Sequence, residues 1–120
     1  MKRCPEVDQL NGFFGGTHVQ VYPDAPEEYN THRFERVAGN ERIVCEVLPA
    51  EYELRFMWWV SGRLTLDLKL QGVQSLDISR SAGDETLIGS VDADGLRQLF
   101  KLQVSPTVCL QWSSSSYFGQ

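Results

Sequence analysis

The chain has 120 residues, enough for one domain with its own core and no dependence on disulfides or metal. Aliphatic, aromatic and Cys residues make up 42% of it and charged residues 22%, which excludes a wholly disordered chain. Sixteen acids against eleven Lys and Arg leave a net charge of −5. That balance argues against direct nucleic-acid binding by phosphate neutralisation and favours attraction to a basic protein.

Pro5 followed by Glu6, Val7, Asp8, Gln9 and Leu10 predicts one short N-terminal helix, with proline in its first turn and acids near its positive end. Asn11-Gly12 and Gly15-Gly16 are expected to break it. Val19 and Val21 suggest a strand ending at Tyr22-Pro23, and PDAPEEYN reads as a loop because its prolines and acids oppose strand pairing. From Thr31 the pattern has period two. His32, Phe34 and Arg36 share one parity up to Gly39-Asn40; Ile43, Cys45 and Val47 form the next apolar face, ending at Leu48-Pro49; Tyr52, Leu54, Phe56 and Trp58 form another.

The stretch GRLTLDLKLQGVQSLDISR, Gly62 to Arg80, places Leu64, Leu66, Leu68 and Leu70 on one face and resumes with Leu76 and Ile78. Unbroken, it would run about 60 Å at ~3.3 Å per residue, too long for a domain whose radius of gyration should be about 14 Å. The chain must turn or bulge at Gln71-Gly72, where glycine removes the Cβ clash. Ser81 to Asp84 is the next turn and Thr86 to Val91 a strand, followed by the hairpin signal Asp94-Gly95. Residues 96–100 could form a helical turn, but continuation through Leu102 and Val104 favours a strand. Val108, Leu110 and Trp112 make the last one. Residues 1–112 thus form a single β-rich domain, a β-sandwich or open barrel of about eight antiparallel strands with one short N-terminal helix. The Ser-rich residues 113–120 are expected as a flexible tail.

Catalytic signatures are absent. His18 and His32, the two histidines, show neither metal-ligand spacing nor a partnered nucleophile, so no metal and no cofactor are expected. GFFGG, Gly12 to Gly16, lacks the lysine and following helix of a phosphate loop. The cysteines Cys4, Cys45 and Cys109 follow no ligand pattern and, with no export signal or apolar run of membrane length, read as reduced thiols of a cytoplasmic protein. Cys45 and Cys109 are expected in the core. Trp58-Trp59 carries more information: on a strand, neighbouring side chains face opposite ways, so Trp58 in the core leaves Trp59 outside with Met57 and Arg55. Trp, Met and Arg are the residues that interface hot spots favour.

The order of elements also resembles a known group. FFGG, then a strand ending VLP, then WWVSGRLTLDLKLQGVQSLDISR, a hairpin and a last strand is similar to the small bacterial immunity proteins of polymorphic toxin systems, in particular the immunity protein 50 family. Leu64 to Ile78 matches that family's alternating strand, glycine-containing step and Leu-x-Ile second strand; YPDAPEEYN is an insertion-like departure from it. The resemblance implies a non-enzymatic cytoplasmic protein that binds the C-terminal domain of a cognate toxin, with a basic domain or a nuclease as the candidate kinds, without touching nucleic acid or membrane itself. Contact residues are then expected at Trp59 and at the loop acids Glu27, Glu28, Asp84 and Glu85, with Asp24, Asp92 and Asp94 in the same kind of loop. A small-ligand or carbohydrate-binding β-domain using Trp58, Trp59 or Trp112 is the alternative. A hydrolase or lyase with His18 or His32 as base is the other.

Overall fold

The computed structural model describes residues 1–93 and 95–116, with backbone only at 93 and 114–116. Helix α1 spans Val7–Phe14. It begins where Glu6 N–H donates to Gln9 Oε1 at 3.0 Å and ends at Gly15, which takes a left-handed φ of 69° and donates its N–H to the Asn11 carbonyl. The expected break at Asn11-Gly12 does not occur. Gly12 costs the helix about 1 kcal/mol, but continuing past it buries Phe13 and Phe14 beside Leu10, and each buried phenylalanine contributes about 2 kcal/mol. The chain then passes so close to the backbone of Glu35 that a Cβ on Gly16 would sit 1.8 Å from its carbonyl oxygen.

Two antiparallel meanders follow. The first sheet contains β1 (Thr17–Gln20), β2 (His32–Ala38), β3 (Glu41–Leu48), β4 (Glu53–Val60) and β5 (Arg63–Gln71), in that order. The second contains β6 (Val73–Ser81), β7 (Asp84–Ala93), β8 (Leu96–Gln103) and β9 (Cys109–Ser116). The sheets do not close into a barrel; this is the open, layered form of the two β architectures expected from the sequence, and residues 96–100 are strand. β9 extends to Ser116, past the expected domain end at 112, and residues 117–120 of the expected tail lie outside the described residues, as does Asp94 of the hairpin signal.

The inner faces share one core. Register aligns Phe34, Cys45, Phe56 and Leu68 across the first sheet, and Leu76, Gly89, Phe100 and Trp112 across the second. Gly89 leaves room for its neighbour, since a Cβ there would lie 2.2 Å from the Phe100 ring. Glycine at 72 serves the crossing. β5 and β6 do not pair: each is an edge strand of its own sheet, and Gly72 (φ 79°) carries the chain between them. Val73 N–H donates to the Tyr52 carbonyl of the first half at 2.9 Å, and the Gly72 carbonyl accepts from Asp92 N–H of the second at 3.2 Å.

Two expectations, for Leu64 and Cys109, are corrected by register. Leu64 is 51% exposed rather than core, because the pairing slips between Trp58 and Trp59: Trp58 faces Leu66 and Trp59 faces Leu64, so Thr65 is an extra residue and Leu64 joins the outer face. Cys109 is exposed, since it pairs with Gln103 while Leu110, its neighbour, pairs with buried Leu102. In β1 the inward parity belongs to His18, which stacks on Phe34 at 5.0 Å, and Val19 is outside. Cys45 is in the core as expected, and burial pushes its thiol pKa far up, out of reach of physiological pH.

Two glycines with opposite roles test this account. Gly72→Val forces a β-branched residue into a left-handed conformation against the Asp92 carbonyl and should lower stability by about 2 kcal/mol or more. Gly12→Ala, in open space on a helix, should raise it by about 0.5–1 kcal/mol. Urea midpoints at constant slope measure both.

Candidate functional site

The loop between β1 and β2 is tied by one side chain. Asn30 is 2% exposed; its Oδ1 accepts from Tyr22 N–H at 3.0 Å, and its Nδ2 donates to the carbonyls of Tyr22 and Ala25 and to Gln20 Oε1. Within this knot Glu27–Tyr29 forms a single 3-10 turn after Pro26. The turn is held from below by a chain of imidazoles. His32 Nε2 lies 2.8 Å from the Glu27 carbonyl oxygen, which can only accept, so His32 carries its proton on Nε2. Its Nδ1 is then an acceptor, filled at 3.0 Å by the N–H of His18 Nε2. The two rings are stacked, 5.2 Å between centroids.

That arrangement brings Glu27 and Glu28 over a groove of about 310 Å³ beside the start of α1. Val7, Leu10 and Val47 supply apolar walls, Glu6 adds a third carboxylate, and buried His32 closes the floor. Neither Glu27 nor Glu28 has a side-chain hydrogen bond or ion pair among the described residues. Sequence spacing concealed both features: His18 and His32 meet because Gln20 pairs with His32 and His18 with Phe34, and Glu6 meets Glu27 because α1 folds onto β2. The only signal available was that both histidines sit near the ends of strands joined by one loop.

The outer face of the first sheet is laced with cross-strand ion pairs, Arg33 with Glu46 at 2.8 Å and Arg55 with Asp67 at 3.0 Å. The hydrogen bond from Arg55, more than its charge, holds the Asp67 carboxyl below its ordinary range. Toward the β2–β3 and β4–β5 turns this face becomes apolar. Val37 on β2 is 67% exposed and Leu64 on β5 51%; in register between them the Arg42 guanidinium lies 4.7 Å over the half-buried Trp59 ring, a cation–π contact. Trp58 points the other way as expected, against the core, with Nε1 donating to Glu41 at 3.0 Å.

The residues expected to make contacts therefore occupy three places. Trp59 is on the outer face, five residues along β4 from the Val47–Leu54 pair, which is about 17 Å. Glu27 and Glu28 belong to the inner-face groove at the other end of the sheet. Asp84 and Glu85 stand at the tip of the β6–β7 hairpin, where Glu85 is paired with Arg80. Of the grooves described, one of about 390 Å³ between the β2–β3 and β4–β5 turns contains Trp59; Trp58 and Trp112 line neither this one nor the acidic one. Among the described residues no group of His, Cys, Asp and Glu is placed to hold a metal, and no helix is long and apolar enough to cross a membrane.

Asn30→Ala would strand several buried backbone groups, and should cost about 2 kcal/mol while raising amide exchange through residues 22–31. The histidines give a pH test. Burial, then the charge of His32, lowers the pKa of His18 below its usual value, against weaker pulls from Glu27 and Asp8. A lowered folded pKa means the unfolded chain takes up protons first, so stability present above about pH 6.5 falls as the solution is acidified through that value. The His18→Gln variant should show a flatter profile between about pH 7 and pH 5.

No protein family's sequence profile matches the chain, and no curated protein matches it. A chain of the contact-dependent growth inhibition toxin–immunity protein complex from Klebsiella pneumoniae 342 has a similar fold. It is 13% identical, with 95% of this chain and 97% of that chain covered and a TM-score of 0.77. At that identity the likeness is one of fold.

Proposed function

We propose that this chain is a cytoplasmic immunity protein that binds a cognate toxin domain and neutralises it through a non-catalytic protein–protein interface. The observation that carries this reading is the fold likeness over nearly the whole of both chains to a component of a toxin–immunity complex. The pattern resemblance to the immunity protein 50 family points the same way. So does the construction of the molecule: a rigid two-sheet body with an aromatic patch and unpaired surface carboxylates is suited to holding a partner by shape and charge. The net charge of −5 favours a basic toxin, such as a nuclease whose own surface is built to meet phosphates.

Trp59, Glu27, Glu28, Asp84 and Glu85 are the proposed contact residues. A standard interface covers about 800 Å² of each partner, and the Trp59 face and the acidic groove lie on different faces of one sheet. One of them is therefore the main footprint.

The test begins with the tagged chain in its native organism and intact-mass analysis of what elutes. The expected partner is the C-terminal part of a large protein encoded beside it, toxic when expressed alone and harmless with this chain. With that domain in hand, Trp59→Ala should raise Kd by about tenfold or more if the outer face is central. Elution of the chain alone at high concentration and low salt would overturn the proposal.

A further inference from the structure

We propose that the groove between the start of α1 and the Glu27–Tyr29 turn is a receptor for one basic side chain, a lysine or arginine, of the bound toxin domain. This deepens the immunity reading and rests on it for the identity of the partner, though not for the chemistry of the groove. The groove, about 310 Å³, is two-toned. Val7, Leu10 and Val47 offer a strip of apolar surface, and Glu6, Glu27 and Glu28 stand around it. A long basic side chain is the ligand with matching parts: a hydrocarbon stem that covers apolar surface and a charged head that stays near the rim. An uncharged aliphatic group would satisfy only the apolar strip, and an anion neither surface.

Positive charge near the groove does not fill it. The N-terminal ammonium is bonded to the Pro49 carbonyl, and α1 presents the partial positive charge of its N-terminus, roughly half an elementary charge. Three carboxylates outweigh these, and Glu27 and Glu28 have no side-chain partner among the described residues. This contrasts with the acids of the outer sheet face, Glu46 and Asp67, each already held by an arginine. The groove is also held in place before any ligand arrives. The Glu27 carbonyl is fixed by His32, itself 3% exposed, and the loop is tied by Asn30, so little ordering entropy is lost on binding.

The test separates the groove from the partner. Isotope-labelled full-length chain is titrated, with NMR detection, with Nα-acetyl-arginine methylamide, its lysine counterpart and the uncharged norleucine analogue. The basic probes should give saturable shifts at Leu10, Glu27, Glu28 and Val47, weakened by salt, and the norleucine probe should not. The Glu27→Gln/Glu28→Gln variant keeps the carbonyl that His32 uses, so it should fold normally and lose those shifts. Against the toxin domain the same variant should bind about tenfold more weakly and with a reduced salt dependence. Equal shifts from norleucine, or unchanged toxin binding by the double variant, would overturn the proposal. Probe binding by a chain that binds no toxin would overturn the immunity reading while sustaining the cation-binding groove.

Discussion

Phe34 is the residue on which the arrangement depends. It is fully buried and stacked on two sides, by Phe14 of α1 at 5.5 Å and by His18 of β1 at 5.0 Å. Through Phe14 it anchors the helix to the first sheet. Through His18, and then His32, it reaches the carbonyl of Glu27. The apolar core and the acidic groove are thus one packed structure. A change in the centre would move the rim, because interiors packed to crystal density transmit displacement rather than absorb it.

The histidine pair carries a constraint of its own. His32 Nε2 meets the Glu27 carbonyl and His32 Nδ1 meets His18 Nε2, so both ring nitrogens of His32 are engaged. Burial already disfavours charge on His18. The pair therefore acts as a strut between the core and the loop.

Charge is distributed unevenly over the molecule. On the outer face of the first sheet, arginines sit opposite acids on adjacent strands, an arrangement worth at most about 1 kcal/mol per exposed pair but effective in cancelling the local field. Glu27 and Glu28, on the loop between β1 and β2, have no such counterion among the described residues. The field over such a surface is set by the groups that have no internal counterion, which concentrates it in a few places despite a modest overall charge. The other end of the outer face, with Trp59, Val37 and Leu64, is apolar instead.

By itself the sequence determined the β class, the short leading helix, the opposite directions of Trp58 and Trp59, and the need for the chain to bend at Gly72. Alternation, glycine freedom and strand length are local properties, visible in a few consecutive residues. It could not show where the helix would end, because the burial of Phe13 and Phe14 against β2 and the second sheet overrode Gly12. Only the tertiary structure decided that Gly72 carries the chain between two sheets instead of reversing it within one. Pairing register alone placed Leu64 and Cys109 outside and brought His18 to His32, since a slip of one residue exchanges the two faces of a strand. The meeting of Glu6 with Glu27 and Glu28 depends on docking a helix onto a distant loop, and no spacing along the chain encodes a contact of that kind.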